Sequence, residues 1–249
     1  PAGRKGTKFR EAFSDSADVN RLSAARLFLF GARDAWFVVG VPIWFYSVLS
    51  DGTPEGNREA FFRIGVFMAV WIIGYGAVQA AAPRLLGARA RSARRAARLA
   101  RSWVAALALI PAALALAAWT AAGGWPAAAA LAAAAGGEGW LVPLMVAGLL
   151  LFGVVFAVNS ALHSYLILAF SEAERVTMDV GFYYMSNAAG RLLGTLLSGL
   201  SYQLGGLPAC LAAAAALALL SRLCAGRLAP RPPAPGPAAD TGARARRTS

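Results

Sequence analysis

Six apolar segments, each close to twenty residues or longer, recur along the sequence and constrain the fold more than any other feature. The hydrocarbon core of a bilayer is about 30 Å thick, so a helix needs about 20 apolar residues to cross it. Backbone polar groups find no water there, and a single segment satisfies them internally only as an α-helix. The sequence therefore predicts an all-α membrane protein with six transmembrane helices, over residues 22–50, 60–82, 103–122, 141–169, 182–204 and 208–225.

Turn-forming stretches separate the apolar segments. DGTPEGNRE (51–59) predicts a loop and GGLP (205–208) predicts a tight turn. GGWPAAAALAAAAGGEGW (123–140) predicts a hairpin or a short interfacial helix, because its Ala run is too short to span a bilayer.

Basic charge is segregated from the apolar segments, since the chain is 58% hydrophobic and yet carries a net charge of +12. Arg and Lys concentrate before residue 22, in the loop 83–102 and after Arg222. Alternating helices put these regions on one side, which the positive-inside rule assigns to the cytoplasm, together with both termini. Three domains are predicted: a basic cytoplasmic segment (1–21), a six-helix transmembrane domain (22–225) and a disordered cytoplasmic tail (226–249).

The sequence lacks the features that are typical of several classes of protein. No zinc-ligand spacing or basic recognition helix indicates nucleic-acid binding, and anionic lipid explains the charge better. Cys210 and Cys224 lie about 21 Å apart along one predicted helix, too far for a disulfide, and no His or Cys beside them indicates a metal site. No nucleophile–base pair indicates an enzyme, and no cofactor is predicted.

Polar side chains occur on four of the six predicted helices, and on the second, fourth and fifth of these a spacing of three or four residues places them on shared faces. They are Arg26, Arg33 and Asp34 on the first helix, Tyr75 and Gln79 on the second, Asn159 and His163 on the fourth, and Tyr184, Asn187, Arg191, Thr195 and Ser198 on the fifth. Gly190, Gly194 and Ser198 also form a small-residue seam, which predicts close contact with another helix.

Arg33 and Arg191 indicate a binding site, because a charge at bilayer depth costs a few kcal/mol and is rare without a partner. Asp34 is the only acid within the predicted spans. It points about 100° away from Arg33 on a helix, so we expect that it cannot fully serve both arginines. Pairing of one arginine with Asp34 is one alternative. The other is an anion such as phosphate, carboxylate or arsenate, which suits the guanidinium fork.

His163 leaves three interpretations open. It could be hydrogen-bonded within the bundle, bind substrate, or carry a proton.

Three stretches of the sequence are long and unusual: RLSAARLFLFGARDAWFVVGVPIWFYSVL, WIIGYGAVQAAAPRLL and ALHSYLILAFSEAERVTMDVGFYYMSNAAGRLLGTLLSGLSYQLGG. They resemble the second half of ArsJ-type organoarsenical efflux permeases, a branch of the major facilitator superfamily. The resemblance covers most of residues 20–210. It implies that the chain is one half of a twelve-helix carrier in the inner membrane, with residues 1–21 as its central loop.

The same resemblance implies a function. Such a permease exports 1-arseno-3-phosphoglycerate, which glyceraldehyde-3-phosphate dehydrogenase makes when it uses arsenate in place of phosphate. The implied partners are an N-terminal six-helix half, from the same or a split gene, and functionally that dehydrogenase. Superfamily members bind substrate between their halves, on the helices that correspond to the four polar ones here. A facilitator for another organic anion and a non-transporting truncated fragment are the alternatives.

The predicted site combines these observations. The predicted substrate-binding residues are Arg33, Arg191, His163, Asn159, Asn187, Gln79, Tyr75, Tyr184 and Arg26. Asp34 and His163 are the candidates for proton coupling, because no other group in the spans plausibly carries a proton.

Overall fold

The computed structural model describes residues 14–87, 92–136, 139–172 and 174–228, and every regular element in these ranges is an α-helix. The helices are α1 (Ala17–Phe37), α2 (Gly40–Leu49), α3 (Pro54–Leu86), α4 (Ala93–Ala121), α5 (Pro126–Gly136), α6 (Leu141–Phe170) and α7 (Val176–Gly226). α5 lies in the Ala-rich stretch, where a short helix is one of the two predicted alternatives. Most of the predicted basic segment and tail lie outside the described residues.

Among the described residues, five helical stretches are long and apolar enough to cross a membrane. They are Ala17–Leu49, which joins α1 and α2, together with α3, α4, α6 and α7. The predicted all-α architecture, with the apolar helices of a membrane-embedded protein, is therefore confirmed.

The longest helix, α7, folds back on itself at Gly205 and Gly206. Both glycines have non-helical backbone angles, and the φ of 62° at Gly206 is one that glycine adopts without steric cost. The Cys210 thiol lies 3.3 Å from the Ser198 carbonyl oxygen, whereas a continuous helix would separate these residues by about 18 Å. α7 therefore consists of two antiparallel arms, joined where GGLP predicts a tight turn.

The first apolar segment forms one candidate span, as predicted, but it is interrupted between α1 and α2, which the sequence pattern did not predict. Pro42 explains the interruption, because its ring clashes with the carbonyl group four residues earlier and it has no N–H to donate. The Ser198 hydroxyl accepts hydrogen bonds from the backbone N–H groups of Val39 and Gly40, at 3.3 and 3.2 Å. A side chain of α7 thus stabilises the interruption.

Four helices (α1, α3, α4 and α7) begin at least five residues earlier than hydropathy predicts. α3 begins at Pro54 rather than residue 60, and α4 begins at Ala93 rather than residue 103. The hydroxyl groups of Thr53 and Ser92 cap these helices by accepting a backbone N–H from the first turn. Hydropathy predicts where a helix leaves hydrocarbon, whereas the cap determines where it begins.

The first arm of α7 packs closely against α1 along the small-residue seam. A Cβ atom placed on Gly190 would lie 2.1 Å from the Leu27 carbonyl oxygen, and one on Gly194 would lie 2.5 Å from the Gly31 carbonyl oxygen. The two backbones are therefore in contact, and the predicted seam is confirmed. This contact brings Arg191 next to α1.

Replacing Gly190 with alanine is expected to destabilise the fold by about 1–3 kcal/mol, because the new methyl group would overlap the α1 backbone. Gly199 is a matched control in the same arm, since no atom lies within 4 Å of a Cβ placed there. Gly199→Ala should be neutral or slightly stabilising, because alanine favours helix. Unfolding of both variants in detergent measures the difference, and equal stabilities would contradict close packing at the seam.

Candidate functional site

Three charged side chains meet where α1 packs against the first arm of α7. Arg33 Nε donates a hydrogen bond to Asp34 Oδ1 at 2.6 Å. Arg191 Nε donates one to Asp34 Oδ2 at 3.2 Å. Asp34 therefore bridges arginines of two helices, and we call Arg33, Asp34 and Arg191 the outer charge group.

Asp34 contacts both arginines, where we expected that it could not fully serve the two. The two oxygens of Asp34 each accept one N–H, and the long Arg33 side chain reaches back despite the angle between neighbouring helix positions. Gly194 permits the second contact, because a Cβ placed on it would lie only 3.0 Å from the Asp34 Cβ. The group still has two positive charges for one negative charge.

Exposure falls steeply within the outer charge group. The side chain of Arg191 is 59% exposed, that of Arg33 is 12% exposed and that of Asp34 is 2% exposed. An exposed ion pair contributes at most about 1 kcal/mol, whereas breaking a buried one costs about 3–5 kcal/mol. Arg191 therefore lies at the open side of the outer charge group, while Arg33 is held inside it.

A second polar group lies where α1 meets α6. Arg26 is 4% exposed, and its Nη1 donates to the carbonyl and hydroxyl oxygens of Ser160 at 3.2 and 3.1 Å. Asn159 and His163 are fully buried within one turn of Ser160 on α6, and Ser23 is fully buried one turn before Arg26 on α1. We call these five residues the inner polar cluster.

Two aromatic rings flank the guanidinium of Arg26. Its central carbon lies 4.1 Å from the ring centroid of Phe30 and 4.9 Å from that of Tyr183. Removing a charge from water costs several kcal/mol, and a desolvated cation–π contact offsets about 2 kcal/mol of it. None of the ion pairs among the described residues involves Arg26. The protein thus accommodates this charge without neutralising it.

Six buried polar atoms of the inner polar cluster have no hydrogen-bond partner among the described residues. They are Ser23 Oγ, Arg26 Nε, Asn159 Oδ1 and Nδ2, and His163 Nδ1 and Nε2. Each buried polar atom without a partner lowers stability by about 1–3 kcal/mol. The total for six atoms would be comparable to the whole free energy of unfolding of a protein, which is about 5–15 kcal/mol. The cluster therefore has unused capacity for a polar partner from outside the described residues.

The other four predicted site residues belong to neither group. Tyr75 packs against Phe156 with ring centroids 5.5 Å apart. Gln79 is half-buried on α3, Tyr184 is exposed, and Asn187 is half-buried with its Oδ1 unpartnered among the described residues. Tyr75 also approaches the outer charge group through Phe156, since the Arg33 guanidinium carbon lies 5.5 Å from the centroid of that ring.

Sequence reasoning missed Ser160 and the rings of Phe30 and Tyr183. Phe30 contacts two cations. In addition to Arg26, the guanidinium carbon of Arg33 lies 5.0 Å from the centroid of the Phe30 ring. A phenylalanine four residues after one arginine and three before another is the signal that could have identified it.

No protein-family model, curated protein or solved structure matches the chain. The function is therefore inferred from the two polar groups, the fold and the sequence resemblance.

Proposed function

We propose that the chain is the C-terminal half of an ArsJ-type membrane carrier that exports an organic anion. One observation carries the proposal: three arginines lie within apolar helices, and Asp34 is the one carboxylate that pairs with any of them among the described residues. A structural role requires a balance of charge at such depth, whereas a binding site for an anion requires an excess of positive charge.

The exposed side of the outer charge group supports a two-half carrier. Arg191 and Tyr184 are exposed on the first arm of α7, yet they belong to a segment of membrane-spanning length. A polar stripe facing lipid would be unfavourable. We propose that it faces a cavity shared with an N-terminal six-helix half, and that the two arms of α7 give this half its sixth crossing.

The positive charge at the end of the bundle where α1 and α4 begin and α7 ends supports a cytoplasmic assignment for that end. Hydrogen bonds from Arg21 to the Arg227 carbonyl and from Arg101 to the Gly226 carbonyl bring the start of α1, the end of α7 and the first turns of α4 together there. The arginines of this end outnumber its acids and include Arg84, Arg94, Arg95, Arg98, Arg101, Arg222 and Arg227. We propose an inner-membrane location with this end in the cytoplasm.

The sequence resemblance supplies the substrate, 1-arseno-3-phosphoglycerate. Its phosphate, carboxylate and arsenate groups suit guanidinium donors. Glyceraldehyde-3-phosphate dehydrogenase would supply it, so the proposed role is arsenate resistance by transport rather than by catalysis. A facilitator for a different organic anion remains the second candidate, which the excess of arginine favours equally.

Cells that produce this chain alone are expected to insert it without gaining arsenate resistance, because half of the cavity is missing. Co-expression with a six-helix N-terminal half and a suitable dehydrogenase should confer resistance. Growth at increasing arsenate concentration measures the effect, with equal amounts of membrane-inserted protein in each strain. Resistance from the chain alone would contradict the two-half proposal and indicate a symmetric homodimer.

A further inference from the structure

The three arginines differ both in burial and in how far a carboxylate neutralises them. Exposure decreases from Arg191 through Arg33 to Arg26. Asp34 neutralises part of the charge of the first two, but Arg26 has no carboxylate partner among the described residues. The most deeply buried positive charge is therefore also the least compensated.

We propose that the inner polar cluster is a closed anion subsite that binds one phosphate or carboxylate group of the transported molecule, separately from the outer charge group. The inference rests on the proposed function, since it divides the proposed substrate site into two positions. Arg26 Nε, Asn159 Nδ2 and a ring N–H of His163 are buried donors without a partner among the described residues, and one oxyanion has lone pairs for several N–H groups. Water would satisfy the amide and the imidazole but would leave the Arg26 charge unbalanced.

The geometry also limits the ligand. Arg26 and Arg33 approach the same ring of Phe30, with guanidinium carbons 4.1 and 5.0 Å from its centroid. Their charges are thus less than about 10 Å apart, close to the rise of two helical turns. A small molecule with an anionic group at each end, on a scaffold of a few carbons, can meet both arginines. A single inorganic anion can contact only one of the two arginines.

Thermal unfolding of the purified chain in nanodiscs of neutral phosphatidylcholine tests the subsite without requiring transport or a second half. Inorganic phosphate should raise the unfolding temperature saturably, relative to chloride at equal ionic strength, since a ligand of the folded state stabilises it. The stable compound 3-phosphoglycerate should act at concentrations at least about tenfold lower, since it can also meet Arg33.

Arg26→Met should abolish the response to phosphate and raise the unfolding temperature without anion, because it removes an uncompensated buried charge. Asn159→Leu keeps the charge and should weaken the phosphate response about tenfold, which covers the case in which Arg26→Met does not fold. Arg63→Met is the control. Arg63 pairs with Glu59 on an exposed face of α3, so its loss should change neither quantity.

An unchanged phosphate response in Arg26→Met, or no response in the native chain, would overturn the subsite. A response to anionic phosphatidylglycerol but not to phosphate would also overturn it, since the ligand would then be a lipid headgroup. Transport lost in the Arg33 and Arg191 variants but retained in Arg26→Met would overturn the inner subsite alone. The outer site, and with it the proposed function, would stand.

Discussion

Lysine in place of Arg33 or Arg191 is expected to reduce anion export at least about tenfold while membrane insertion stays intact. Lysine keeps the positive charge, but its ammonium group cannot reproduce the planar fork that binds an oxyanion through two N–H groups. A tenfold loss corresponds to about 1.4 kcal/mol of binding or transition-state stabilisation, which is less than one charge-assisted hydrogen bond contributes. Export from vesicles that contain equal amounts of each variant measures the effect.

Arg63→Lys is the matched control for both variants. Arg63 forms an exposed ion pair with Glu59, one helical turn away on α3, so the exchange should leave export unchanged. Full activity in both Arg33→Lys and Arg191→Lys would remove these residues from the binding site and leave them only as structural partners of Asp34.

Asp34→Asn is expected to have the largest effect on stability of any single substitution in the site. It leaves Arg33 without its carboxylate at 12% side-chain exposure, and breaking a buried pair in this way costs about 3–5 kcal/mol. The protein that remains folded should bind the anion more tightly, because the carboxylate that competes for Arg33 and Arg191 is gone. Denaturant unfolding in detergent and anion binding to the same preparation measure both effects.

The charge-neutral double variant Arg33→Gln, Asp34→Asn distinguishes a binding role from a structural one. It removes both members of the pair, so stability should recover relative to Asp34→Asn while export stays low. Recovery of export together with stability would show that Arg33 only balances Asp34. Glu59→Gln serves as the control, because an exposed pair contributes at most about 1 kcal/mol.

The helical architecture was predictable because the bilayer fixes it. Any apolar segment of sufficient length must be helical there, and the glycines of GGLP identified the turn between the arms of α7. The interruption between α1 and α2 was not predicted. It depends on Pro42 and on the Ser198 hydroxyl, which lies far away in sequence and accepts the released N–H groups. A hydropathy average over many residues detects neither the single proline nor a hydrogen bond from a distant helix.

The sequence identified part of the membership of the two polar groups and not their arrangement. Charged residues within an otherwise apolar segment identified Arg26, Arg33 and Asp34. Spacing within α1 could not show that Gly194 of α7 brings Arg191 to the same carboxylate. It also could not separate Arg26 from the other arginines, because the separation depends on burial against α6. Phe30 lies in a segment where an aromatic residue is equally expected to face lipid.

Uptake of 1-arseno-3-phosphoglycerate into inside-out vesicles tests the central claim most directly. The vesicles contain this chain together with an N-terminal six-helix half, and the substrate is generated outside them by glyceraldehyde-3-phosphate dehydrogenase with arsenate. Saturable accumulation of arsenic that requires both halves, and that falls at least about tenfold in Arg33→Lys, is the predicted result. Accumulation no faster than in vesicles that lack the chain would contradict the claim that this protein is half of an organoarsenical exporter.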